Sequence, residues 1–147
     1  GHTEYVADTV IAALEGKSGL RIVKQRAEQS TPEDFAKFDV LLLASSTWNT
    51  GNVEGQLNAH MAELLANAAA ADLGQRPCAA IGLGDERYFY IARATEKLTS
   101  YLQNHNGNVL LPPLKIVNEP YGQEAKVIVW GNELLKQIAK LPASATA

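Results

Sequence analysis

Two apolar runs, each ending in polar and aromatic residues, constrain the fold of this chain most. Leu41–Ala44 is apolar throughout and leads into Ser45–Asn49 (SSTWN). Ala79–Leu83 is similarly apolar and leads into Gly84–Tyr88 (GDERY). An uninterrupted apolar run is typical of a strand buried on both faces of a parallel sheet. Because ligands bind such sheets at the carboxyl ends of the strands, these segments predict a site where two aromatic side chains enclose a flat ligand.

Composition narrows the class of protein. With 147 residues and 46% hydrophobic content, we expect a single domain over residues 1–147 with one sizeable core. The net charge of −3 and the scattered Lys and Arg argue against nucleic-acid binding. We find no secretory signal and no apolar run of the roughly 20 residues that a membrane span needs. Cys78 is the single cysteine, which excludes an internal disulfide, favours a cytoplasmic location and predicts a small buried side chain.

Hydrophobic periodicity predicts alternating helices and strands. The expected elements, in chain order, are a helix from Thr3 to about Glu15, a short strand Leu20–Lys24, a short helix starting near Ser30 or Thr31, a strand from about Asp39 to Ala44, a helix whose apolar face runs from Val53 to Ala68, a strand at 78–83, a helix with a stripe from Ile91 to Leu102, an edge strand from Val109 limited by Pro112 and Pro113, and a last helix around Val127–Ile138. This alternation indicates an α/β fold, a doubly wound parallel sheet with helices on both faces. The chain opens with a helix where such a fold would open with a strand.

Three segments of the chain together resemble the short-chain flavodoxins. Gly1-His2-Thr3-Glu4 resembles the end of the phosphate loop of that family, Ser45–Trp48 resembles the loop that places one aromatic residue on the flavin, and Gly84–Tyr88 resembles the Gly-Asp-x-x-Tyr loop that places the second. The resemblance covers essentially the whole chain and implies a flavodoxin-like sheet of strand order 2-1-3-4-5. It also implies that the first strand and the start of the phosphate loop, roughly ten to thirteen residues by typical strand length, are missing from this sequence.

For the phosphate end, the resemblance implies that Gly1, His2 and Thr3 bind the phosphate of FMN. Free amides at a helix N-terminus favour an anion, and Thr3 adds a hydroxyl donor. His2 stands where the family usually has Asn. Taken locally, Thr3 fits a helix cap with no ligand better than a phosphate site; the two other matching loops favour the phosphate site.

For the ring, the resemblance implies that Trp48 and Tyr88 stack on opposite faces of the isoalloxazine, with Ser46 and Thr47 in the same loop. Gly84, Asp85 and Ala92 correspond to the backbone that binds its pyrimidine edge. An electron-rich, poorly solvated slot disfavours the charged, fully reduced flavin, which implies a low reduction potential.

Asn49 occupies the position whose peptide flips in flavodoxins to accept a hydrogen bond from the half-reduced ring. Gly is common there because the flipped turn needs a positive φ, and Asn is the next most permissive residue. An ordinary turn Asn remains the alternative. The following segment, Asn49–Gln56, has Glu54 as its single acid, and Arg87 lies in the second loop. Since fewer negative charges surround the ring than in acidic flavodoxins, we expect a low potential that is less extreme than theirs.

The resemblance therefore implies an FMN-binding, low-potential carrier of single electrons between a reductase and acceptor redox enzymes. It implies an electron-transfer protein that is not itself an enzyme, binds no metal, acts in the cytoplasm without membrane or nucleic-acid contacts, and is a monomer. The alternative is a flavodoxin-like FMN enzyme such as an NAD(P)H quinone reductase, which would oxidise NAD(P)H without a separate reductase. A phosphoacceptor receiver domain has a similar topology but needs an Asp where this chain has Ser45-Ser46.

Overall fold

The computed structural model describes residues 1–15, 19–50, 53–87 and 90–142, with the backbone alone at 49 and 50. Its elements, in chain order, are α1 (His2–Leu14), 3₁₀ turns at Ala27–Gln29 and Pro32–Ala36, β1 (Leu41–Thr50), β2 (Val53–Leu57), α2 (Ala59–Asn67), β3 (Pro77–Gly84), α3 (Ala94–Asn104), β4 (Asn108–Val109), β5 (Leu114–Val117) and α4 (Glu124–Ala139).

The sheet centres on β3, which is buried along nearly its whole length. β1 runs parallel to β3 on one side, and β4 and β5 run parallel to it on the other. β2 pairs antiparallel with the far end of β1, so the strand order is β2-β1-β3 followed by β4 and β5. The break between β4 and β5 contains Pro112 and Pro113, which lack the ladder donor, as the sequence predicts for an edge strand.

Helices cover both faces of this sheet, and successive side chains of β3 pack on opposite faces. Cys78 and Ala80 join a cluster with α2 and α3, while Ala79 and Ile81 join one with α1 and α4. Gly131 of α4 permits the close approach of α1: a Cβ added there would lie 3.2 Å from the Cβ of Ala13. The predicted doubly wound α/β fold is confirmed.

The predicted strand Leu20–Lys24 is wrong. These residues form no regular element, because a strand needs a hydrogen-bonded neighbour and none of the described strands pairs with them. The segment is instead held against α1, where Lys24 Nζ lies 3.3 Å from Glu4 and 2.9 Å from Asp8. Along Leu41–Ser46, the side of β1 away from β3 also has no strand partner among the described residues. The expected missing first strand stays a prediction.

The predicted helical stripe from Val53 to Ala68 is wrong in its first part. Val53–Leu57 is strand β2, and the helix starts after Asn58, whose side-chain oxygen accepts a hydrogen bond from the His60 amide at 2.9 Å. The apolar residues at 53 and 57 fit a helical period, but pairing with β1 satisfies their backbone groups instead. Trp48 therefore leads into a β-hairpin, not a loop followed by helix.

Candidate functional site

β1 and β3 pair in parallel up to Ser46 and Leu83, and β1 then continues to Thr50 paired with β2. Ser45 is in register with Gly82, and Ser46 with Leu83, so both sequence segments that follow emerge at one edge of the sheet. Gly82 and Gly84 allow the start of α3 to approach this edge closely, since a Cβ on Gly84 would lie 2.2 Å from the Ala92 nitrogen. The structure thus brings the two sequence-predicted loops together on one surface.

Trp48 is presented at this edge with 52% of its surface exposed. Its indole Nε1 donates a hydrogen bond to the Ser46 hydroxyl, which fixes the orientation of the ring. Its backbone pairs with Gln56 in the hairpin. A large aromatic ring is therefore held in place while one side stays accessible to a ligand.

Asn49 lies in β1 beside an irregularity of the hairpin. Between the pairs Trp48–Gln56 and Thr50–Val53, one residue of β1 faces two residues of β2, which is a β-bulge. Gly55, with φ +78°, supplies the left-handed conformation at the bulge. The side chain of Asn49 lies outside the described residues, and its role in a peptide flip stays a prediction.

The hydroxyl groups in the second half of β1 are engaged within the protein. Thr47 Oγ1 accepts a hydrogen bond from the Ala94 amide at 2.9 Å and so caps the N-terminus of α3. Buried Ser45 donates to the Ser46 carbonyl and accepts from the Asn58 amide at 3.1 Å. The sequence predicted a loop at Ser45–Trp48, but these residues belong to β1, and the bonds fix this part of the strand relative to α3 and α2.

The start of α1 lies beside the start of α4, and its N-cap residue, Gly1, has no side chain to cap the helix. The Tyr5 amide bonds to the Gly1 carbonyl, and the three preceding amides of the first turn have no acceptor within the helix. The ring of His2 packs edge-on against Tyr121 at 5.5 Å. The Tyr5 hydroxyl donates to Glu124 at 2.6 Å, which anchors this turn to the start of α4.

The second loop has a compact structure centred on Asp85. The Asp85 carboxylate accepts hydrogen bonds from the Arg87 amide and from Arg87 Nε, both at 2.8 Å. The Arg87 side chain, its strongest partner, holds the pKa of Asp85 below the ordinary value. Asp85 is thus paired within its own loop, so its backbone and not its carboxylate is the part that can face a ligand. Tyr88 lies outside the described residues.

Ala92 is fully buried with φ +50°. Its carbonyl accepts hydrogen bonds from the Thr95 amide at 3.1 Å and the Thr95 hydroxyl at 3.0 Å. Because that carbonyl is already hydrogen-bonded at the first turn of α3, the backbone group of Ala92 that remains for a ligand is its amide.

The sequence reasoning missed two groups that shape this edge. Arg93 lies 4.3 Å above the ring of Tyr90, and both pack against Gly55, so they join the second loop to the hairpin. Asn118, at the end of β5, bonds to the second loop. The available signal was an Asn directly after a short β-prone run, where left-handed backbone is common.

His105, which directly follows α3, makes contacts within the protein. Its ring stacks on Tyr101 with centroids 4.0 Å apart, and Nδ1 lies 2.8 Å from the Ala71 carbonyl. His105 therefore stabilises the end of the α2 region at the opposite edge of the sheet.

The set of groups at this edge fits FMN. A phosphate suits the free amides at the start of α1. A flat ring suits the exposed face of Trp48, which lies in the strand that pairs with β3 just before Gly84 and Asp85. Neutral donors predominate, as expected for a ligand held by backbone groups and stacking.

Known proteins give the same assignment. The sequence model of the flavodoxin family matches residues 1–130. A flavodoxin of Maridesulfovibrio salexigens is 28% identical over 138 residues, covering 94% of this chain and 92% of that protein. The probable flavodoxin 2 of Bacillus subtilis is 27% identical over 141 residues, covering 93% and 89%.

The fold is likewise shared with solved structures. Oxidised flavodoxin 2 from Bacillus cereus superposes with a TM-score of 0.85 at 23% identity, covering 93% of this chain and 92% of that one. Oxidised flavodoxin 1 from the same species gives 0.83 at 22% identity, covering 97% and 92%. By sequence model, relatives and fold, this chain belongs to the flavodoxin family, whose members are FMN-binding electron carriers and not enzymes.

Proposed function

We propose that this flavodoxin binds FMN along the edge formed by the start of α1 and the ends of β1 and β3. Gly1, His2 and Thr3 hold the phosphate through first-turn amides and the Thr3 hydroxyl. Trp48 covers one face of the ring and Tyr88 the other. The backbone of Gly84 and Asp85 meets the pyrimidine edge.

The observation that carries this proposal is that β1 and β3 pair in parallel up to Ser46 and Leu83, and that β1 then presents a half-exposed Trp48. The indole stacks on the ring and excludes water from that side. Bound FMN supplies one-electron chemistry, and the chain contributes a rigid, poorly hydrated slot that limits reorganisation. Thr47 and Ser46 act here as supports of the slot, since their hydroxyls bond to Ala94 and Trp48.

We propose that redox partners, a reductase and an acceptor enzyme, dock on the same edge. Trp48, Val53, Tyr90 and Ile91 expose apolar surface there. The nearby charges are mixed, with Asp85 paired to Arg87. Such a surface supports transient contacts through packing more than through a strongly acidic face.

We further propose that residues 1–147 act as one monomeric domain in the cytoplasm. Two core clusters share one sheet, which supports a single folding unit. The single cysteine, Cys78, is fully buried and free, consistent with a reducing compartment. Across the described ranges, no helix has the length and apolar character required to cross a bilayer.

A flavin titration tests the site. The fluorescence of FMN and of riboflavin is followed as this chain is added, for the unmodified protein and for Trp48→Leu and Thr3→Val. We expect quenching by the unmodified chain, weaker binding of both flavins by Trp48→Leu, and weaker binding of FMN alone by Thr3→Val.

Trp130→Leu is the matched control, since Trp130 lies on α4 and donates a hydrogen bond to the carbonyl of Pro112, which precedes β5. Equal losses in Trp48→Leu and Trp130→Leu would contradict the assignment of Trp48. Folded protein that leaves FMN fully fluorescent would contradict the proposed site as a whole.

A further inference from the structure

Asn118 bonds to both ends of the turn Gly84–Glu86. Its backbone amide donates to the Gly84 carbonyl at 2.7 Å, and its side-chain Oδ1 accepts from the Glu86 amide at 3.0 Å. One residue directly after β5 therefore fixes the backbone on both sides of Asp85.

Asn118 is itself held rigidly. It has φ +66°, a left-handed conformation that Asn tolerates better than most residues. The Gln123 side chain donates to the carbonyls on either side, Val117 at 2.9 Å and Glu119 at 2.7 Å. These bonds orient the peptides that flank Asn118, so its amide and its Oδ1 both face the second loop.

The opposite side of the turn is closed by steric contact. A Cβ at Gly84 would overlap the backbone of Ala92, so Gly84 already touches the start of α3. With α3 on one side and Asn118 on the other, the turn has little freedom to move. The Asp85 carboxylate cannot replace this support, because it bonds to Arg87 inside the loop.

We infer that Asn118 is a positioning residue for the ring-binding loop, which it holds at the spacing that lets the Gly84–Asp85 backbone meet the flavin edge. This inference rests on the proposed function. Asn118 need not touch the ligand, and its effect is transmitted through the Glu86 amide.

The test compares Asn118→Gly, which keeps the left-handed backbone and removes Oδ1, with Asn118→Asp, which keeps an acceptor oxygen. Asn106→Gly is the matched control: Asn106 also has a left-handed φ, of +65°, and also accepts a side-chain hydrogen bond, from Gln75, but it lies at the opposite edge of the sheet. Affinity for oxidised FMN and riboflavin and the hydrogen-exchange rate of the Glu86 amide are measured for each.

We expect Asn118→Gly to weaken both flavins by the same factor, about tenfold, which corresponds to one net hydrogen bond. Exchange of the Glu86 amide accelerates in that variant. Asn118→Asp restores both properties, and Asn106→Gly matches the unmodified chain.

Any of four results would overturn the inference. Asn118→Gly could leave flavin affinity unchanged, or weaken FMN without weakening riboflavin. Asn106→Gly could lose as much affinity as Asn118→Gly, or Asn118→Asp could fail to restore binding. If the unmodified chain binds neither flavin, the proposed function is what fails. The two failures are therefore distinguishable.

Discussion

Replacing Gly84 with alanine probes the tight contact between the end of β3 and the start of α3. An ideal Cβ at this position lies 2.2 Å from the Ala92 nitrogen, 2.4 Å from its Cα and 2.9 Å from its Cβ. Ordinary van der Waals contact begins at 3.4 Å, so the Ala92 backbone has to retreat by about 1 Å. Because the obstructing atoms are backbone, rotating a side chain cannot relieve the overlap.

Retreat of Ala92 is costly because its surroundings hold it in place. The Ala92 carbonyl accepts two hydrogen bonds from Thr95, and the next turn is capped by Thr47 through the Ala94 amide. Overpacking of a core costs about 1–3 kcal/mol, and each distorted hydrogen bond adds about 1 kcal/mol. We expect Gly84→Ala to lower the free energy of unfolding by about 3 kcal/mol, a large part of the roughly 5–15 kcal/mol of a typical domain.

Urea unfolding followed by far-UV circular dichroism measures this loss, and amide exchange of Thr95 locates it. Gly131→Ala is the control, since its new methyl group would lie 3.2 Å from the methyl group of Ala13 and alanine favours the helix by about 1 kcal/mol. That variant should stay within about 1 kcal/mol of the unmodified protein. A loss below about 1 kcal/mol in Gly84→Ala, with the Thr95 amide as protected as before, would refute the reasoning.

Three further predictions concern acid stability, thiol reactivity and redox potential. Lys37 and the Thr31 amide hold the pKa of Asp34 at about 2, below its value in the unfolded chain, so this stabilisation is present above about pH 4 and is lost as the pH falls from 4 to 2. The urea midpoint of Asp34→Asn should therefore depend less on pH in that range than the midpoint of the unmodified protein. An equal dependence on pH in both proteins would contradict this. Burial raises the pKa of the Cys78 thiol to about 11, so a thiol reagent should label it in urea but not in the folded protein; rapid labelling of the native state would show the site to be open. Because Arg87 neutralises Asp85 beside the proposed ring site, a potentiometric titration should give a low potential above those of the acidic flavodoxins, and a value among the lowest of the class would exclude this.

The periodicity of the sequence determined most of the fold. Apolar runs at Leu41–Ala44 and Ala79–Leu83 require burial on both faces, which a parallel sheet between helices provides. The same runs locate the candidate edge, because the residues after parallel neighbours necessarily emerge together. The last helix, Glu124–Ala139, followed from its stripe despite a β-prone run at Val127–Trp130.

Tertiary structure decided where pairing partners exist and what each polar group does. Leu20–Lys24 has a strand-like sequence without a described strand beside it, and Val53–Leu57 has a helical period but pairs with β1. Thr47 caps α3, and Asn118, which follows β5 and lies 32 residues after Glu86, bonds to the second loop. The spacing of apolar residues along the chain indicates which side chains are buried. Hydrogen bonding between distant segments depends instead on which backbone groups the fold leaves unpaired.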